Sequence, residues 1–337
     1  MKTMNGSDKS NLWFAVVNGY AASRKAGAMW EKVEEQMRAE GIIFHGARTG
    51  KAGNAAELAF DACMAGYRRF IAVGGDGTVH DVLNGIASFV EGSKESYKPL
   101  RLDEFTIGVI PLGSGNDWIR SLGIRHDIKD AVRVIANGLT GQQDVVRVSI
   151  LDRSILPEYS EISVSYMINI GGVGIDARVC ERVNRMKRQG KRGKILYAAS
   201  LIHAISNRIP MSVKVICDDK EVFDGAFLSI AFGIGRYSGG GMRQTPEAVL
   251  DDGLLDVTVI PDIAMTRILC EAPRLFTGTF LKVPELTACR GRSVMVIPSV
   301  HSASEPVEVD GEVVGKSPVR LEVLPEKINI IIPGQHR

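Results

Sequence analysis

The front of the chain alternates between two patterns of apolar residues. Leu12–Val17, Ile42–Ala47, Arg69–Val73 and Phe105–Ile110 are short and almost continuously apolar. A strand without a polar face needs cover on both sides, as in a parallel sheet between layers of helices. In Ala26–Glu40, Asn54–Ala65, Thr78–Phe89 and Ala131–Asn137 the apolar residues recur every three or four positions, which predicts helices. Strand and helix therefore follow one another as βαβ units.

Beyond Gln142 the rhythm changes. Val145–Leu151, Ser163–Ile170, Met211–Cys217, Ala226–Phe232, Leu255–Ile260, Ser293–Ile297, Pro306–Val309 and Arg320–Val323 are strand-like and mostly lack helices between them. That succession predicts an antiparallel sandwich, with helical inserts at Ala177–Ala204 and Asp262–Phe276. The expected class is α/β plus β: a parallel-sheet domain over residues 1–140, then an antiparallel β-sandwich domain over 141–325.

Composition narrows the function classes. A chain of 337 residues is about two domains long. With 41 Lys+Arg against 39 Asp+Glu its net charge is +2, which speaks against an extended nucleic-acid groove. Cys63, Cys180, Cys217, Cys270 and Cys289 are far apart and form no paired motif, so a zinc site is not expected and a reducing compartment is. Leu12–Val17 is too short for a signal-peptide core. Ile195–Ile205, interrupted by His203, falls short of the roughly 20 residues that cross a bilayer. The expected location is the cytoplasm.

The 36 glycines gather where strand gives way to helix. In Ile71–Gly85 an apolar strand ends in Gly74, Gly75, Asp76, Gly77 and Thr78. Glycines let the backbone approach a ligand closely, and the helix that opens at Thr78 offers unpaired N–H groups to phosphate. Asp76 suits such a turn as a holder of Mg²⁺, directly or through water. Phe105–Asp117 repeats the design with Gly113, Ser114, Gly115, Asn116 and Asp117. Neighbouring turns at the carboxyl edge of a parallel sheet are where such folds bind ligands. N-capping by Asn116 or Asp117 is the plainer reading of that second turn.

Two further strings stand in the second half: Gly239-Gly-Gly-Met242 leading to Asp251-Asp-Gly-Leu-Leu-Asp256, and Val309-Asp-Gly-Glu312. With the two turns, in this order, they resemble the diacylglycerol kinase catalytic domain family and its bacterial soluble lipid kinase relatives, within a NAD kinase-like superfamily. The resemblance covers almost the whole chain. It implies that the first domain binds nucleotide and that 326–337 contains a strand returning to it. It implies ATP contacts from Thr49, Gly74, Gly75, Asp76, Gly77, Thr78, Val79, His80, Gly113, Ser114 and Asn116. Asp76 and Asp117 would order Mg²⁺ and water. Glu312, with Asp310 beside it, would take the proton from a lipid hydroxyl, and Asp252, with the main-chain oxygens of Val249 and Leu254, would form a second-domain metal site. The implied activity is transfer of the ATP γ-phosphate to diacylglycerol or a related lipid, giving phosphatidic acid.

From the residues alone, Asp310-Gly311 reads equally as a hairpin turn, and Asp251-Asp252-Gly253 likewise. The first-loop motif departs from the family: Asn18 is followed by Gly19, and Ala22 stands where a glycine is usual. A NAD kinase-type phosphotransferase and a silent nucleotide-binding regulator remain alternatives. Arg182–Lys194 holds seven basic residues, and such a block near an anionic leaflet gains on the order of 1 kcal/mol per charge. It is the expected contact with the inner membrane surface, where the protein would be peripheral; homodimerisation is left open.

Overall fold

A computed structural model describes residues 9–19, 26–50, 54–112, 115–152, 159–189, 200, 204, 211–300 and 302–334. The chain divides into two compact units: Met1–Gln143 with Glu326–Arg337, and Asp144–Pro325.

In the first unit β1 (Trp13–Val17), β2 (Phe44–Arg48), β3 (Arg69–Gly74) and β4 (Thr106–Pro111) run parallel. They connect through α1 (Ala26–Ala39), α2 (Ala55–Met64) and α3 (Asp76–Gly92). Two shorter helices, α4 (Asp117–Ser121) and α5 (Ile128–Asn137), lead to β5 (Thr140–Gln143). The sheet order is β2-β1-β3-β4-β17-β5, where β17 (Ile328–Ile331) lies parallel to β4 and antiparallel to β5. Phe70, Ile71, Phe105 and Ile107 are fully buried, as strands covered on both faces require. Because β5 belongs to this sheet, the unit extends to Gln143 rather than to residue 140.

The second unit holds an antiparallel sheet of eleven strands of sandwich type. In chain order these are β6 (Val146–Leu151), β7 (Glu161–Met167), β8 (Ile170–Gly174), β9 (Met211–Cys217), β10 (Lys220–Gly233), β11 (Leu255–Pro261), β12 (Thr287–Gly291), β13 (Ser293–Pro298), β14 (Pro306–Val309), β15 (Glu312–Lys316) and β16 (Val319–Val323). The main path runs β15-β14-β8-β10-β9-β13-β16-β6-β7, and β11 joins β10 to β12. The fourteen-residue β10 pairs first with β9, then with β8 and β11. Val148, Val215, Ile230, Phe232, Leu255, Val294, Val309 and Leu321 share one buried core.

Three expectations are corrected. The single strand expected over Ser163–Ile170 is two, β7 and β8, parted at Ile168–Asn169. The insert expected from Ala177 begins earlier, as α6 (Ile175–Arg188); most of its remainder lies outside the described residues. The insert at Asp262–Phe276 is two helices, α7 (Met265–Glu271) and α8 (Arg274–Thr277), divided at Pro273, which has no N–H to continue the first. Among the described residues no helix is long and apolar enough to cross a membrane.

Candidate active site

In the first unit, strand register builds the candidate site. Val17 pairs with both Arg48 and Val73, and Gly74 pairs with Pro111. The residues that follow emerge side by side at the carboxyl edge of the sheet. Backbone bonds stitch them together: Asn18 N–H to Val73 O at 3.0 Å, Thr49 N–H to Val17 O at 2.9 Å, and Leu112 N–H to Gly74 O at 2.8 Å. Side chains add to this, with Asn18 Nδ2 donating to Thr78 Oγ1 at 3.1 Å and Gly19 N–H to Thr49 Oγ1 at 3.0 Å.

Helix α3 starts at Asp76, two residues before the expected Thr78. Its N-cap is Gly75, in extended conformation, and no side chain caps this end. Thr78 is not the cap but a buried member of the first turn. A helix start of this kind presents backbone N–H groups and the positive end of the helix dipole to an anion. Gly74 is required by close approach: a Cβ there would lie 2.1 Å from Thr78 Oγ1.

Asp76 links the two turns. Its carboxylate accepts the N–H groups of Asp117 at 3.0 Å and Trp118 at 3.1 Å, the first residues of α4. It thereby does the capping work expected of Asn116, which sits at the cap position in left-handed conformation and makes no side-chain cap bond. The Asn116 amide instead meets His126 Nε2 at 2.5 Å. Asp117 is buried, with Arg120 Nε 3.6 Å from its Oδ1. Trp118 Nε1 donates to Gln143 Oε1 at 3.0 Å, tying α4 to β5.

Thr49, Gly74, Gly75, Asp76, Gly77, Thr78, Asn116 and Asp117 thus gather at this edge. Val79 and His80 follow in the first turns of α3, and both side chains are buried. The Val79 N–H closes the first helical turn on Gly75 O at 3.3 Å. The carbonyl of His80 accepts Asn84 Nδ2 at 2.8 Å. Gly113 and Ser114 lie outside the described residues, as do residues 20–25 of the first loop.

In the second unit the Val309–Glu312 string forms the β14–β15 hairpin. Asp310 and Gly311 both have positive φ, 51° and 87°, as a tight hairpin turn demands. Asp310 does not offer a free carboxylate: its oxygens accept the N–H groups of Ile168, Asn169 and Ile170 at 3.1, 2.9 and 3.2 Å. It pins the bend between β7 and β8. Glu308, also buried, accepts the Gly311 N–H at 2.9 Å. Burial, together with the negative neighbours Asp176, Asp310 and Glu312, pushes its carboxyl well above the usual range. From α6, Cys180 Sγ and Asn184 Nδ2 reach Gly311 O at 2.8 and 3.0 Å. Glu312, at the head of β15, is exposed.

Sequence reasoning missed Glu308, Asn184 and Asp176. Asp176 follows the glycine-rich Ile170–Gly174 strand at the start of α6, the same strand-to-helix design as the two turns, and that signal could have found it. It accepts Ser229 Oγ at 2.5 Å and Gln244 Nε2 at 2.8 Å. Burial raises its carboxyl above the ordinary value.

At the expected second-domain metal site Asp252 is ion-paired. Arg290 Nη2 lies 2.5 Å from Asp252 Oδ2, and its Nε lies 3.0 Å from Asp256 Oδ2. Asp252 Oδ1 accepts the Leu254 N–H at 3.1 Å. A guanidinium thus satisfies the charge a cation would have met, beside Val249 and Leu254. Among the described residues no three His, Cys, Asp or Glu side chains form a metal-holding group.

Comparison with known proteins agrees with this layout. Residues 13–148 match the diacylglycerol kinase catalytic domain, and residues 170–332 match the YegS C-terminal NAD kinase beta sandwich-like domain. A protein named "Diacylglycerol kinase" from Mycobacterium tuberculosis is 26% identical over 286 residues, 84% of this chain and 83% of that one. One of the same name from Bacillus subtilis is 26% identical over 289 residues, 84% of each. A "Probable lipid kinase YegS-like" of Stenotrophomonas maltophilia is 26% identical over 329 residues, 96% of each. The crystal structure of a diacylglycerol kinase from Bacillus anthracis superposes with a TM-score of 0.66 at 18% identity, covering 96% of this chain and 97% of that one. By these two matches, in this order along one chain, the protein carries a diacylglycerol kinase catalytic domain followed by a YegS-type C-terminal domain, the layout of its relatives named as lipid kinases.

Proposed function

We propose that this protein uses ATP and Mg²⁺ to phosphorylate the free hydroxyl of diacylglycerol or a closely related lipid alcohol, yielding phosphatidic acid or its counterpart. The observation that carries the proposal is Asp76: one carboxylate belongs to the first glycine turn and fastens the second, so the two turns act as one phosphate seat. The uncapped start of α3 supplies backbone N–H groups and dipole to the phosphates. Thr49 and Thr78, held by Gly19 and Asn18, shape the rim.

The donor set fits Mg²⁺. Asp76, through its bonds to the first residues of α4, brings its hard carboxylate oxygens to the turn that carries Asp117. A bound Mg²⁺ would neutralise charge on the β- and γ-phosphates. An alcohol is a weak nucleophile, and Glu312, solvent-exposed on an otherwise clamped turn, is the group proposed to take its proton. The basic stretch from Arg182 is proposed to bring the enzyme to anionic lipid at the cytoplasmic membrane surface.

The test offers labelled ATP and Mg²⁺ with diacylglycerol, a sphingoid base or NAD in parallel, followed by extraction and mass spectrometry. Label is expected in the phosphorylated glycerolipid. Asp76→Asn and Glu312→Gln are each expected to lower the rate at least about a hundredfold. Label in NADP, or full activity in both variants, overturns the proposal.

A further inference from the structure

We infer that Asn184 of α6 is a positioning residue for Glu312, holding its carboxylate in one orientation on the Asp310–Glu312 turn. The inference rests on the reading of Glu312 as the proton acceptor.

Named partners hold this turn at several points. The Asp310 carboxylate is held by three amides, Gly311 N–H by Glu308, and Gly311 O by Cys180 and Asn184. Restraint of the turn does not by itself fix the rotamer of the long Glu312 side chain. Asn184 Nδ2 restrains that as well, lying 3.3 Å from Glu312 Oε2 and 3.0 Å from Gly311 O. An amide nitrogen carries two hydrogens, so one can reach the backbone carbonyl and the other the carboxylate. Asn184 therefore references the reacting group directly to the clamped backbone.

The helix surface explains why the donor is neutral. Cys180 and Asn184, four residues apart, share one face of α6. Arg178, Arg182 and Arg185 occupy another face, where they line a groove of about 410 Å³ with Glu305 and Lys316. Arg178 is engaged with Glu305 at 2.5 Å. On a face apart from these arginines, Asn184 meets the Glu312 carboxylate as a neutral amide, which depresses its basicity less than a guanidinium or ammonium would.

Two measurements on the full-length protein test this. In the first, the glutamate carboxyl carbons are labelled with ¹³C and titrated by NMR, the Glu312 signal being assigned by its loss in Glu312→Gln. A donor favours the charged carboxylate, so Asn184→Ala is expected to move the Glu312 midpoint to higher pH. Asn184→Asp, which adds a negative charge, is expected to move it further. In the second, kcat and KM are measured with ATP, Mg²⁺ and diacylglycerol micelles across pH. Asn184→Ala is expected to lower kcat about tenfold and shift the acid limb to higher pH, with KM for ATP unchanged; Asn184→Gln should recover part of the loss. Unmoved Glu312 midpoints in both variants overturn the inference whether or not the protein is a kinase. Full activity in Glu312→Gln overturns the base assignment and leaves the NMR result to decide the contact.

Discussion

One absent methyl group governs the first glycine turn. Gly74 ends β3 directly against Thr78, whose hydroxyl is already engaged by Asn18. Gly74→Ala forces either the strand end or the first turn of α3 to move. Overpacking of this kind typically costs about 1–3 kcal/mol, so a lower melting temperature is expected, together with weaker binding of a fluorescent ATP analogue. Unchanged affinity would mean that phosphate does not sit on this turn. The importance of Gly74 was legible in the sequence, because a glycine that ends a buried strand marks a place where backbone must pass close to a neighbour. That Asp76 caps α4 was not: donor and acceptor are 41 and 42 residues apart, and only the register of β3 against β4 brings them together.

Elements carry the next layer, and the β14–β15 hairpin is the clearest case. Asp-Gly announces the turn, but nothing local announces that Asp310 fastens the β7–β8 bend about 140 residues upstream, or that Glu308 lies buried beneath. Burial raises the Glu308 carboxyl well above its ordinary value, near 4.3 when unfolded. Below that pH it is protonated in both states. As pH rises toward the folded value the unfolded chain releases the proton first, and stability is lost over that interval. Glu308→Gln keeps an acceptor for Gly311 and cannot ionise. Its melting temperature is therefore expected to exceed the parent's by a margin that widens from about pH 4 upward; a constant margin in a calorimetric pH series would contradict the buried charge. Element boundaries failed in the sequence for similar non-local reasons. β12 (Thr287–Gly291) has no strong alternation and is a strand because β11 pairs with it.

At the scale of the whole molecule, a net charge of +2 conceals an uneven distribution. The basic face of α6 concentrates cations that an average cannot show. Reversing Arg182 and Arg185 to Glu is expected to reduce sedimentation with phosphatidylglycerol vesicles and to leave association with neutral phosphatidylcholine vesicles unchanged; equal losses on both would point to a damaged helix. The two-part architecture was readable from the shift between helix-rich and strand-rich segments. The exact seam was not, because β5 is short and polar and finds its place only through β17.

That placement of β17 has a consequence for how the protein is made. The strand that sits between β4 and β5 is encoded on the far side of the entire second unit. Until it arrives, a gap stands between β4 and β5 in the first unit's sheet, so a ribosome must deliver the whole sandwich before the first fold can close. Long-range pairings of this sort are slow to form, and they make the early unit's completion a built-in check that the rest of the chain has been synthesised.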